Sequence, residues 1–228
     1  MNLANQIVDF LFSLNLDIRL PDGIRVMNPY LDPVAKEVVR TFYQTYYKDK
    51  KSRKLILAIN PGRLGAGTTG IPFTDTKRLT DVCGINSAIP ETHEPSSVFV
   101  YDVIEAYGGP EKFYQEYFIG SVCPLGFLKK NEKGNWINYN YYDETQFTKL
   151  VSPFIVSELR KLLLLPLERT TCICWGTGKN YKYLSALNAE HKFFRKVIPL
   201  EHPRYIMQYK SKQKSEYIQK YLDVFHSI

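Results

Sequence analysis

The chain is short of cysteine, histidine and unbroken apolar stretches, and each shortage removes a class of function. Its four cysteines, Cys83, Cys123, Cys172 and Cys174, include no C-x-x-C pair. They therefore offer no zinc or iron–sulfur framework, and the alternation of Cys172 and Cys174 along an apolar run reads as buried free thiols. The four histidines are scattered and no H-E-x-x-H is present, which argues against metal-assisted hydrolysis. No apolar run reaches the roughly 20 residues needed to cross a bilayer. The acidic, interrupted N-terminus lacks the basic-then-apolar order of a signal peptide, so the expected compartment is the cytosol, or the nucleus of a eukaryote. Gly65-Ala-Gly67 and Gly176-Thr-Gly178 complete neither G-x-G-x-x-G nor the P-loop pattern, which leaves a nucleotide-cofactor fold little support. There is no G-x-S-x-G nucleophile elbow, no internal repeat, no low-complexity tract and no linker.

What the chain does carry is basic charge and aromatic rings. Lysine and arginine number 30 against 23 acidic residues, for a net charge of +7. Such a balance leans toward a polyanionic partner. The 17 tyrosines and 13 phenylalanines serve packing first, although rings beside basic residues also suit stacking on bases. The length predicts one domain over 1–228, with a helical portion, 1–50, packed on it.

Periodicity predicts helices over Leu3–Leu14, Val34–Tyr47, Ser97–Tyr107, Asn180–Glu190 and Lys212–Phe225. A further helix runs from a cap at Asp143 or Thr145 to about Leu165. Strands are predicted at Lys54–Ile59, Thr170–Trp175 and Lys196–Leu200, with another in the aromatic-rich stretch Phe113–Val122 that ends at Cys123-Pro124-Leu125. Gly62–Gly70 reads as a Gly/Thr-rich loop. Lys48–Lys54 reads as a solvated basic corner, and Asn131–Tyr142 as a tyrosine-rich hairpin. Strands alternating with helices predict an α/β three-layer sandwich, its small, about four-stranded parallel sheet flanked by helices. No long apolar seam is evident, so a monomer is expected.

Two strand ends stand out. Leu55-Ile-Leu-Ala-Ile-Asn60-Pro61-Gly62 and Leu200-Glu-His202-Pro203 are each an apolar run that ends in a polar residue and then proline. In a parallel sheet the ligand crevice lies beyond the carboxyl ends of the strands. An amide and an imidazole from opposite ends of the sequence are thus expected to meet there.

Four blocks now occur in order: Asn60-Pro61-Gly62 with Thr69-Gly70-Ile71-Pro72-Phe73, then Cys123-Pro124-Leu125-Gly126-Phe127, then Gly176-Thr177-Gly178, then His202-Pro203. From about Lys54 to the C-terminus their order and spacing resemble the uracil-DNA glycosylase superfamily, nearest to its single-strand-selective monofunctional branch. The resemblance implies hydrolysis of the N-glycosidic bond of uracil in DNA, leaving an abasic site, with no metal or organic cofactor. It implies that His202 donates to the uracil O2 as that oxygen becomes anionic, and that Asn60 orients the attacking water. Phe73 would stack on the flipped base. Gly62 would leave the pocket open near the base C5, unless another side chain fills the gap.

The chain departs from that branch at Ser121, where an asparagine reads the base edge. A serine hydroxyl offers less than an amide fork, so xanthine and hypoxanthine join the expected substrates; C5-substituted uracil follows instead from the opening at Gly62. After His202-Pro203, the segment Arg204-Tyr205-Ile206-Met207-Gln208-Tyr209-Lys210 also differs from the family's continuation. Tyr205, Ile206 and Met207 are the candidate wedges for a flipped-out base, and Arg204 and Lys210 candidate phosphate contacts. The turn of Gly176, Gly178 and Lys179 is a candidate phosphate site at a helix N-terminus. A superfamily member with a non-uracil main substrate and a catalytically idle DNA-binding module are the alternatives.

Overall fold

The apolar run before Asn60 is a strand with neighbours on both sides. The computed structural model describes residues 1–228 and contains seven strands. They are β1 (Ile24–Met27), β2 (Arg53–Ala58), β3 (Tyr117–Ser121), β4 (Gly126–Lys130), β5 (Trp136–Tyr139), β6 (Leu167–Trp175) and β7 (Lys196–Leu200). Four of them form a sheet of order β3-β2-β6-β7, parallel throughout. Leu55, Ile56 and Leu57 are each at most 1% exposed although successive side chains point to opposite faces. Both faces of the sheet are therefore covered, and helices flank it, as the alternation of elements predicts. No helix is long and apolar enough to cross a membrane.

The N-terminal helices join the same core. Leu3, Ile7, Val39 and Phe42 belong to one apolar cluster with Ile56, Ile173 and Phe225. The helix Pro33–Tyr46 begins at Asp32, whose carboxylate accepts the N–H groups of Val34 and Ala35. Proline at the first helical position leaves no N–H unpaired.

Three expectations need correction. The 1–50 portion is not wholly helical: β1 pairs antiparallel with β4, which pairs with β5. The expected hairpin thus becomes two strands of a second, three-stranded sheet. The stretch Phe113–Val122 is divided, with a helix Pro110–Glu116 leading directly into β3. Pro110, just before the stretch, starts that helix, and the aromatic density hides the change of period. The basic corner is not wholly solvated either. Arg53 is fully buried, its guanidinium donates twice to Asp49 at 3.0 Å, and its Nε donates to the Tyr114 carbonyl at 2.8 Å. A bidentate partner and backbone acceptors satisfy the buried charge. The segment after His202, to which the sequence assigned no element, is a helix, Pro203–Tyr209.

Candidate active site

The carboxyl ends of β2, β3 and β7 open into one cavity of about 470 Å³. Asn60, Gly62, Phe73, Ser121 and His202 all line it, so the structure brings together the five residues on which the sequence argument turned. The volume lies within the usual range for small-ligand sites.

Asn60 is held at both ends of its amide. Its Oδ1 accepts the Tyr141 N–H at 3.2 Å, and its Nδ2 donates to the carbonyls of Tyr139 and Pro61 at 3.4 Å. Opposed donor and acceptor partners fix which atom is oxygen. Tyr141 is itself anchored: its hydroxyl donates to Asn180 Oδ1 at 2.7 Å, and Asn180 Nδ2 donates to the Trp175 carbonyl at 3.1 Å. A buried chain of bonds therefore runs from the end of β6, through Asn180 on the helix Lys179–His191, to the amide at the end of β2.

His202 occupies the N-cap of the helix Pro203–Tyr209. Its Nδ1 accepts the Arg204 N–H at 3.1 Å, so Nδ1 carries no proton and the neutral ring holds its proton on Nε2. Burial, helped by repulsion from Arg204, lowers the imidazole pKa to about 4. The ring is a neutral donor at physiological pH.

Phe73 stands with its ring centroid 5.6 Å from that of His202 and edge-on to Trp175 at 5.1 Å. Its φ is 53°, in the left-handed region that side chains avoid. A latch of buried polar groups maintains it. Thr69 Oγ1 donates to the Thr74 carbonyl at 2.6 Å and accepts the Ile71 N–H at 3.2 Å. Thr74 Oγ1 and the Tyr101 hydroxyl lie 2.9 Å apart. Gly70, at φ 77°, passes so close to the Pro33–Tyr46 helix that an added Cβ would stand 2.5 Å from Val39 Cγ2. Strain of this kind persists only where its surroundings over-determine it.

Ser121 ends β3, opposite Ala58, and its hydroxyl makes no hydrogen bond within the chain. A separate, mainly apolar void of about 30 Å³ also touches Ser121. The space beside Gly62 is not open. A Cβ there would lie 3.5 Å from Glu94 Oε1 and 3.6 Å from Asn138 Nδ2. The side chains of Glu94 and Asn138 are the gap-fillers that the sequence left unnamed.

The chain as a whole matches a known family. The profile of the uracil DNA glycosylase superfamily matches residues 44–226. The chain belongs to that superfamily. The crystal structure of wild-type Pedobacter heparinus SMUG2 is similar over 100% of this chain and 98% of its own, with 48% identity and a TM-score of 0.97. Among curated relatives, the single-strand selective monofunctional uracil-DNA glycosylase of Rattus norvegicus is 27% identical over 103 residues, 38% of this chain and 37% of that protein. The Mus musculus counterpart is 26% identical over the same span. The matched stretch thus spans little more than a third of these curated relatives.

Of the expected DNA contacts in this superfamily member, Arg204 and Tyr205 line the cavity mouth, and Met207 lines an adjoining groove. Ile206 must be withdrawn as a wedge: it is 0% exposed, because the helix Pro203–Tyr209 turns Pro203 and Ile206 toward the core. Met207 is half-buried and packs against the same core. Lys210 follows the helix and is half-buried. Gly176, Gly178 and Lys179 lie at the end of β6, outside the residues that line the cavity. Gly178 is the N-cap of the Lys179–His191 helix, without a side-chain cap bond.

Sequence reasoning missed Glu94, Asn138, Asn140, Tyr142, Gln208 and Tyr209, which also line the cavity. Asn138 and Asn140 alternate with Ile137 and Tyr139, so a strand period through the hairpin would have placed them together on one face. Glu94, between His93 and Pro95, gives no local signal.

Proposed function

We propose that the chain is a monofunctional DNA glycosylase that hydrolyses the N-glycosidic bond of deoxyuridine in DNA, releasing uracil and leaving an abasic site. The observation that carries this reading is the neutral His202, its proton confined to Nε2, in one cavity with an orientationally fixed Asn60. Breaking the C1′–N1 bond leaves its electron pair on the base and positive charge on the sugar. A neutral donor at O2 stabilises the departing anion through a hydrogen bond that strengthens as charge builds on that oxygen, with the proton staying on Nε2. The amide of Asn60 is a poor base and orients the attacking water, whose oxygen bonds to C1′. The Phe73 ring offers a stacking wall for a base swung out of the helix. No lysine lines the cavity, in keeping with water rather than an amine as nucleophile.

DNA is the proposed partner, with Arg204 at the cavity mouth, Lys210 beyond it, and Tyr205 as the exposed candidate wedge. Gly176, Gly178 and Lys179 are kept as a second, more distant phosphate contact. A second reading rests on Ser121: its short, unpaired hydroxyl leaves the base edge less strictly defined, which admits xanthine or hypoxanthine.

Base release without added metal, from matched single- and double-stranded oligonucleotides carrying uracil, xanthine or hypoxanthine, tests both. Uracil release that disappears in His202→Ala supports the glycosylase. Binding without release from any of them would instead favour an idle DNA-binding module.

A further inference from the structure

Glu94 fills the space beside Gly62 but has no part in the chemistry assigned above, yet its carboxyl forms a wall of the base cavity. Two glycines make room for it. A Cβ on Gly65 would lie 2.0 Å from Glu94 Oε2, and one on Gly62 would lie 3.5 Å from Oε1. The main chain at Glu94 is pinned by its N–H, which donates to Asp75 Oδ2 at 2.7 Å. Ser97 Oγ donates to Oε2 at 3.2 Å, which leaves Oε1 as the atom facing Gly62 and the cavity.

We propose that Glu94 donates a hydrogen bond from Oε1 to the uracil carbonyl remote from His202, supplying a donor that Ser121 is too short to offer. This deepens the glycosylase reading and rests on it. The negative charge of departing uracil spreads over both ring carbonyls, and His202 serves one of them. A neutral carboxylic acid at the other stabilises the same anion, whereas a carboxylate would repel it. The proton stays on Glu94 throughout; the contact is a hydrogen bond and not a transfer.

The surroundings favour the acid form. Burial, with repulsion from Asp75, outweighs the Ser97 bond and the attraction of Arg204, and raises the carboxyl pKa to about 7. Other charged or titratable groups face this region. Arg78 pairs with Asp75 at 3.2 Å and His93 Nδ1 lies 3.8 Å from Asp75. Arg63 lines the adjoining groove, and His202 and Tyr142 share the cavity.

Single-turnover uracil release from saturated single-stranded DNA between pH 6 and pH 9 is the test. Wild-type rates are expected to fall about 10²-fold across that range as the acid ionises. Glu94→Gln, which keeps a donor at every pH, is expected to be flat and to exceed wild type at pH 9. Glu94→Ala is expected to lose about 10²–10³-fold at pH 6, and Gly65→Ala, which displaces the carboxyl, to lose activity in the same direction. A Glu94→Gln profile that still falls, a wild-type profile flattened by His93→Gln, or a Glu94→Ala enzyme at the wild-type rate at pH 6 would each overturn the proposal. Wild-type protein that releases no uracil at any pH overturns the glycosylase reading along with it.

Discussion

His202 Nδ1 accepts the backbone N–H of Arg204 at 3.1 Å, so the residue that follows His202-Pro203 decides which nitrogen of the ring carries the proton. Capping a helix and presenting a donor to the cavity are one act. The same contact brings the Arg204 charge near the ring and helps to hold it neutral.

His202→Ala should therefore cost about 10²–10³-fold in single-turnover base release, by the same factor at pH 6 and at pH 8. Stability gives a second readout. The folded pKa of about 4 lies below the usual 6.5, so the unfolded chain takes up the proton first. Wild-type stability should fall as pH drops from 6.5 toward 4, and thermal melting of His202→Ala should fall less over that window.

Asn60→Ala should reduce base release strongly while DNA affinity, measured at one fixed salt concentration, stays near wild type. Asn60→Asp is the sharper variant. It places a carboxylate oxygen where Nδ2 now donates to the carbonyls of Tyr139 and Pro61. Loss of those donors should lower stability by about 1–3 kcal/mol, and a denaturant titration would show it.

Asn180→Leu tests the chain of bonds behind Asn60. It leaves the Tyr141 hydroxyl and the Trp175 carbonyl unpaired in a buried setting, at a cost of about 1–3 kcal/mol each. Because Asn180 acts through Tyr141, kcat should fall with KM little changed. Tyr141→Phe, which keeps the backbone N–H to Asn60, should be the milder variant.

Ser121→Asn should raise the ratio of uracil to xanthine release. The void of about 30 Å³ beside Ser121 gives the larger amide part of the room it needs. Measurement of the two rates on otherwise identical oligonucleotides checks it; an unchanged ratio removes Ser121 from the specificity argument.

The four parallel strands and the two residues at their ends were legible because both signals are local. Apolar runs such as Leu55–Ile59 stop at a polar residue and a proline, and parallel topology carries their ends to one edge. The second sheet was less legible. Ile24–Met27 is short and half-exposed, so its pattern resembles loop, and only pairing with β4 makes it a strand. Arg53 was misread because its bidentate bond to Asp49 is a property of the turn and not of the charge count. Glu94 lay beyond reach for a different reason. Its position beside Gly62 depends on a bond to Asp75, nineteen residues earlier, and no periodicity encodes that distance.

The amide of Asn60 is set by a sheet to which its own strand does not belong. Asn60 extends from β2, but its partners Tyr139 and Tyr141 stand at the end of β5, which pairs only within the smaller antiparallel sheet. The orientation of the amide is accordingly tied to the pairing of β4 with β5 as well as to the parallel sheet. Fraying of the β4–β5 hairpin would release the amide while the parallel sheet and His202 stayed folded. Amide hydrogen exchange across β4 and β5, followed alongside base release, would show whether competence for chemistry is lost before the global fold.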